Sequence, residues 1–312
     1  MVNAISRTGQ SGKIDYSTVQ ILLAVDNPVV RRGLNDAFQH AGFNRCTESL
    51  DQVTFQNAID ESSFDLIIMN PEIGGFFLAP MIAEMRADRI RHHPFPIVIM
   101  LLAESQKGYI GKVIDCGPDA IFLLPVAPGS LLDRIDSFAA HRKPFVVTQD
   151  YIGPDRRKEA RPGTEQIPLL EVPNPVRART RRAPAHLLQS EIDTAKIQLN
   201  TLKLERYAVQ FRWLDRAVNT LFKQSEVDHA KLAAAARRMK QIAEDLPARL
   251  RGDLDMRMTG LIDELVGGAD AVLRDGSSIN RQRLDGVLAN CRAIAEGIQG
   301  CLPSSVPTPN CC

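Results

Sequence analysis

The sequence predicts a doubly wound α/β domain followed by a mainly α-helical C-terminal domain. Two observations carry that reading. Up to about residue 145, short continuous apolar runs alternate with amphipathic stretches, the grammar of a parallel sheet covered on both faces. After Pro184 the apolar residues recur every three or four positions, the period of packed helices. A content of 44% hydrophobic and 24% charged residues supports two folded domains and argues against a chain disordered throughout.

Residues 1–18 are polar and read as a disordered tail without a secretory signal. The α/β domain is expected over residues 19–145. Its strands are Val19–Val25, Phe64–Met69, Pro96–Leu102 and Ala120–Leu124, within a sheet of about five. Helices are expected over Val29–His40, Pro80–Arg91 and Gly129–Ala140. Residues 146–185 read as an extended, partly disordered linker, because Pro154, Pro162, Pro168, Pro173, Pro175 and Pro184 interrupt any helix.

Residues 186–302 read as a helical bundle or a helical dimerisation region. Its long first helix carries Leu188, Ile192, Ala195, Leu199 and Leu202, then changes phase and continues through Leu204, Tyr207, Phe211, Leu214, Val218 and Leu221. A second helix is expected to end at Pro247, a third near Gly276 and a fourth before Pro303. Residues 303–312 read as a second disordered tail.

A net charge of +1 gives no overall attraction to nucleic acid or to an anionic membrane. No apolar run approaches the ~20 residues that span a bilayer, and the cysteines form no CxxC pair, so a reducing cytoplasm is the expected location. A nucleophile elbow, a Walker loop, a zinc-protease motif and a dinucleotide fingerprint are all missing, which argues against an enzyme.

The order of landmarks in residues 19–142 resembles the bacterial response-regulator receiver domain. ILLAVDNPVVRRGL (Ile21–Leu34) is similar to the family's first strand, acidic pair and first helix. FDLIIMN (Phe64–Asn70) resembles the strand that ends at the phospho-acceptor, and PIVIMLLAES the fourth strand and its loop. GPDAIFLLPVAPGSLLDRI (Gly117–Ile135) resembles the fifth strand, the Lys-Pro step and the last helix. The family uses an acidic pair for magnesium, an aspartate acceptor, a hydroxyl and a lysine, because the transferred group and its acceptor are both anionic.

By that resemblance the pocket here is degenerate. Val25 replaces the first acidic residue and leaves only Asp26. Asn70 stands at the acceptor position, Leu102 at the hydroxyl position and Leu124 at the lysine position. The expectation is a pseudo-receiver that binds no metal or cofactor and acts as a non-enzymatic signalling adaptor. The resemblance also implies protein partners and a homodimer to which helix Gly129–Ala140 contributes.

The rival readings are a phosphorelay member using His186 or His229, and a DNA- or nucleotide-binding regulator. Neither histidine stands in the His-x-x-Lys-Gly pattern of phosphotransfer domains, and His92-His93 lacks a second ligand at helical spacing. Arg156, Arg157 and Arg161 resemble the arginine leader of PilZ domains and form a candidate anion-binding linker. The turn that completes a PilZ site is missing, and no helix-turn-helix unit is evident, so nucleic acid is not an expected partner.

Overall fold

The protein is described by a computed structural model covering residues 14–103, 108, 110–157, 167–223, 227–250, 254–276 and 281–302. It divides into two compact units, residues 1–196 and 197–312.

In the first unit the chain runs β1 (Gln20–Ala24), α1 (Pro28–Ala41), β2 (Arg45–Glu48), α2 (Gln52–Glu61) and β3 (Leu66–Met69). A short hairpin of β4 (Glu72–Ile73) and β5 (Phe76–Phe77) leads into α3 (Ala79–Arg86), β6 (Ile97–Leu102) and α4 (Ile110–Asp115). Strand β7 (Ala120–Leu123) and α5 (Pro128–Ala140) follow. The five-stranded sheet has the order β2-β1-β3-β6-β7 and all its pairs are parallel.

Alternate residues of each central strand feed two apolar layers. Ile21, Leu23 and Val25 join Leu34 and Phe38 of α1 and Leu131 and Ile135 of α5. Leu22 and Ala24 join Phe55 and Ile59 of α2 and Ile82 and Met85 of α3. Both faces of the sheet are therefore dry, which is why β1, β3 and β6 are apolar without alternation. Helix α1 starts where Asn27 Oδ1 accepts from the Val29 and Val30 amides, with Pro28 in its first turn.

The described residues of the expected linker, 146–157 and 167–185, are folded, and residues 158–166 lie outside the described residues. Strands β8 (Phe145–Val147), β9 (Ile152–Pro154) and β10 (Leu169–Leu170) form an antiparallel sheet of order β10-β8-β9, and α6 (Pro175–Thr180) follows. The prolines do not exclude a helix, since Pro175 stands in the first turn of α6, and they permit short strands. Gly153 lets β9 approach closely, since a Cβ there would meet Tyr151 Oη at 2.7 Å and Gly117 Cα at 2.8 Å.

What holds this segment in place is a buried charge cluster. Asp119 accepts from Arg86 Nη2 at 2.9 Å and from Arg142 Nε at 3.0 Å, and all three side chains are buried. The remaining guanidinium N–H groups reach carbonyls. Arg86 donates to Gly117, Pro94 and Pro96, and Arg142 to Phe95, Pro96 and Pro173. The Phe145 ring lies 5.0 Å from both guanidinium carbons. Beyond it, Asn174 Nδ2 donates to the Phe138 carbonyl at 2.6 Å, Arg179 pairs with Asp65, and Val176 is fully buried. The expected N-terminal tail is also anchored at its end, because Tyr16 is buried and stacks on Phe43 with ring centroids 4.2 Å apart. The tails expected over residues 1–13 and 303–312 lie outside the described residues.

Helix α7 (Ala185–Leu221) has the expected length, and the boundary between the two units falls inside it rather than at residue 186. In the second unit its later turns share one apolar core with α8 (His229–Leu250), α9 (Met256–Asp275) and α10 (Arg281–Cys301). Tyr207 Oη donates to Asp245 at 2.5 Å, and Arg249 pairs with the same carboxylate. Helix α8 does not stop at Pro247 but runs through it, because burial of Leu246 and Leu250 outweighs one lost backbone bond. Helix α3 ends at Arg86 rather than Arg91, where Asp88 takes a left-handed φ of 57°.

Replacing Asp119 by alanine leaves two buried guanidinium groups without a counter-charge. The expected loss is about 3–5 kcal/mol in urea unfolding, and a loss below about 1 kcal/mol would contradict the role assigned to the cluster. His93 beside it accepts from the Phe95 amide through Nδ1 at 3.0 Å. Burial, and then the charges of Arg142 and Arg86, hold its pKa down to about 3. The unfolded chain takes up this proton first, near pH ~6.5. Stability from this group is thus whole above that pH and falls toward pH 3 by about 1.4 kcal/mol per unit. His93→Asn keeps an acceptor for the Phe95 amide and should flatten that slope when unfolding is compared at pH 7 and pH 5.

Candidate functional site

The candidate site lies where the central strands end. Parallel register sets Ala24 beside Met69 and Met69 beside Met100, and Leu102 beside Leu123. The residues that follow, Val25, Asp26, Asn70 and Leu124, therefore gather with Leu102 at the C-terminal edge of the sheet. All the positions named from the receiver resemblance are brought together.

Their chemistry is that of a closed joint. Asn70 is 5% exposed, and its side chain is committed on both sides. Oδ1 accepts from the Asp26 amide at 2.9 Å, and Nδ2 donates to the Leu101 carbonyl at 2.6 Å. Its own amide donates to the Ala24 carbonyl at 2.8 Å. Asn70 thus ties the ends of β1 and β6 to the end of β3, and no lone pair of an acid is offered. Val25 and Leu102 are fully buried, one in each apolar layer. Leu124 is partly buried against the α1/α5 layer, and its amide donates to the Leu102 carbonyl at 2.8 Å. Asp26 is exposed.

One participant is not legible in the sequence. Arg31 of α1 turns back over the end of β1, donating through Nη1 to the Val25 carbonyl at 2.6 Å and the Asp26 carbonyl at 3.2 Å. Its Nε pairs with Glu48 at 3.0 Å, and Asn35 also donates to that carboxylate. The positive charge at this edge is therefore bound to Glu48 and to backbone, a placement that spacing in the sequence does not reveal. Among the described residues no group of three or more His, Cys, Asp or Glu side chains is arranged to hold a metal ion.

Of the arginines proposed from the linker, Arg156 and Arg157 turn to different partners. Arg157 is paired with Asp155, Nε to Oδ1 at 2.9 Å. Arg156 donates to the Pro118 carbonyl, and Arg161 lies outside the described residues. His186 and His229 are exposed in the first turns of α7 and α8. No described helix is long and apolar enough to cross a membrane.

No family model matches the chain. Over 119 residues, 38% of the chain, it is 24% identical to the chemotaxis protein CheY-3 of Vibrio cholerae, covering 89% of that protein. The chemotaxis protein CheY of Pseudomonas aeruginosa is also 24% identical over 38% of the chain, with 94% of its own length covered. Among solved structures, the receiver domain of the sensor histidine kinase PA1611 from Pseudomonas aeruginosa is 21% identical, covering 37% of this chain and 93% of that one, with a TM-score of 0.34. The chemotaxis response regulator CheY4 of Vibrio cholerae is 20% identical over 38% of this chain and 98% of its own, also with a TM-score of 0.34. These relatives and neighbours are CheY-like response-regulator receiver domains, and they match the N-terminal part of the chain alone.

The bridge made by Asn70 leads to a stability prediction. An ionised aspartate in its place could accept from the Asp26 amide but could not donate to Leu101, and would face that carbonyl with negative charge. Asn70→Asp should therefore cost about 1–3 kcal/mol at pH 7, with part recovered near pH 5 as the carboxyl takes a proton and can donate. Equal urea midpoints for both chains at pH 7 would show that the bridge carries no load.

Proposed function

We propose that this receiver-related protein is a two-component signalling regulator of the pseudo-receiver kind, working through protein contacts and without phosphorylation of its acceptor position. The single observation that carries the proposal is the amide of Asn70 held between the Asp26 N–H and the Leu101 carbonyl. An amide is no nucleophile for phosphoryl transfer, and here both of its ends are already engaged.

The rest of the site supports the same reading. One carboxylate, Asp26, is too few for a magnesium ion that must also offset a phosphoryl group. Leu102 and Leu124 supply neither a hydroxyl to follow a phosphoryl oxygen nor an ammonium to balance it. On this proposal the protein is not an enzyme, resides in the cytoplasm and forms a homodimer. Phe76, 57% exposed on the hairpin that follows Asn70, supports a protein-binding role for this edge.

The test is phosphorylation competence. Beryllofluoride or acetyl phosphate with magnesium, at about 10 mM, should leave the backbone NMR signals of Asp26, Asn70 and Leu124 in place. Saturable, magnesium-dependent shifts at those residues would return the protein to the phosphorylated regulators.

A further inference from the structure

At the opposite edge of the sheet a polar cleft of about 220 Å³ opens between the end of α5 and the β8–β9 pair. Arg134, Phe138 and His141 line it from α5 and its C-cap, Lys143 from the approach to β8, and Asp155 and Arg156 from the end of β9. Asp119 reaches its floor.

Among the described residues that line this cleft, positive charge exceeds negative. Both carboxylates are already engaged by cations that are not part of the lining. Asp119 is clasped by Arg86 and Arg142. Asp155 is held by Arg157 through Nε at 2.9 Å and Nη2 at 3.0 Å, and this pairing keeps its carboxyl below the usual range. The hydrogen bonds and ring contacts of the lining cations, by contrast, go to neutral groups, with Asp155 near enough to Lys143 for its carboxyl to feel that charge. Arg134 lies over the Phe138 ring at 4.5 Å, Lys143 Nζ donates to the Asp155 carbonyl at 3.3 Å, and Arg156 Nη2 donates to the Pro118 carbonyl. Among the described residues none of the three has a carboxylate at ion-pair distance. Each keeps unused N–H donors, since an ammonium offers three and a guanidinium five.

We infer that this cleft binds the phosphate of a small nucleotide. Three cations from separate segments around one cavity suit a multiply charged tetrahedral anion better than a planar carboxylate, and the forked donors of Arg134 and Arg156 pair well with phosphate oxygens. The Arg134 guanidinium rests one face on Phe138, and the residue is exposed, so its other face could serve as a platform for a base. The backbone that carries Lys143 adjoins Arg142, which is held in the Arg86–Asp119–Arg142 cluster, so that wall of the cleft is in place before a ligand arrives. The site is separate from the strand-end pocket and does not depend on the function proposed for it.

The experiment is titration of the full-length chain with pyrophosphate and with guanosine diphosphate, followed by calorimetry and by NMR of the His141, Lys143 and Arg156 amides. One saturable site is expected, with a Kd below about 1 mM. Lys143→Gln and Arg156→Gln should each weaken both ligands about tenfold. Arg134→Ala should weaken the nucleotide more than pyrophosphate, because it also removes the stacking face. Arg182→Ala, which removes a cation paired with Asp15 elsewhere on the unit, should change neither. These side chains are exposed, and circular dichroism checks that each variant is folded. Absence of saturable shifts at about 10 mM of either ligand would overturn the inference. So would binding unaltered in the Lys143→Gln, Arg156→Gln double variant, or shifts of these amides produced only by anionic lipid vesicles.

Discussion

The first unit is organised around one carboxylate, Asp119, held by two arginines that water does not reach. A buried pair of guanidinium groups on one acid carries an excess positive charge, which is tolerable only if the remaining N–H groups find acceptors. They do so on the carbonyls of residues 94–96, Gly117 and Pro173, with the Phe145 ring beside both. Such a cluster contributes little net stability compared with an apolar core of the same volume, but it is exacting about position. It accepts one arrangement of the α3 end, the start of β7, the end of α5 and the chain that precedes α6. That requirement turns residues 141–157 and 167–182 from a tether into part of the unit.

The two edges of the sheet consequently differ in electrostatic character. At the edge where the strands begin, Asp65 and Asp119 are buried and each is matched by arginine. At the edge where they end, Val25, Asn70, Leu102 and Leu124 carry no charge, the Asp26 carboxylate is exposed to solvent, and the nearby arginine is turned toward Glu48 and backbone. An amide at position 70 suits this arrangement because it donates and accepts at once. It joins three strand ends with hydrogen bonds that a lone carboxylate could supply only in part.

Much of this is legible in the sequence, for identifiable reasons. Strands β1, β3, β6 and β7 are apolar because both faces of the sheet are covered, and helices α1, α3 and α5 show their periodicity, whereas α2 and the short α4 do not stand out. Strand β2 escapes notice, because Arg45–Glu48 is an exposed edge strand with a polar sequence. The folding of the expected linker is not legible, because its attachments join residues far apart in the chain: Arg142 to Pro173, Asn174 to Phe138, Arg179 to Asp65. Prolines announce the end of helices, not the presence of distant partners. The composition of the strand-end site can be read position by position, whereas the bridge through Asn70 and the return of Arg31 are matters of geometry. Of the arginines taken as one site, the two that are described part company, since Arg157 closes on Asp155 while Arg156 turns toward Pro118 and the α5 cleft.

Any ligand that controls a protein must bind one of its conformations better than another, by a margin that sets how far the equilibrium moves. In a phosphorylated receiver that margin is electrostatic, a new dianion among positioned cations. The strand-end site of this chain has no unpaired cation among its described residues to answer such a charge. An apolar or polar-neutral surface can still discriminate between conformations, but through the area it buries and the hydrogen bonds it completes, which is the chemistry of a protein partner. Unbalanced positive charge lies instead beside α5 and β9, on a segment fixed to the sheet by Asp119. An anion bound there would neutralise repulsion between Arg134, Lys143 and Arg156 only while that segment stays docked. Its binding energy would therefore add to the hold of the Arg86–Asp119–Arg142 cluster, coupling ligand occupancy to a part of the unit away from the strand-end site.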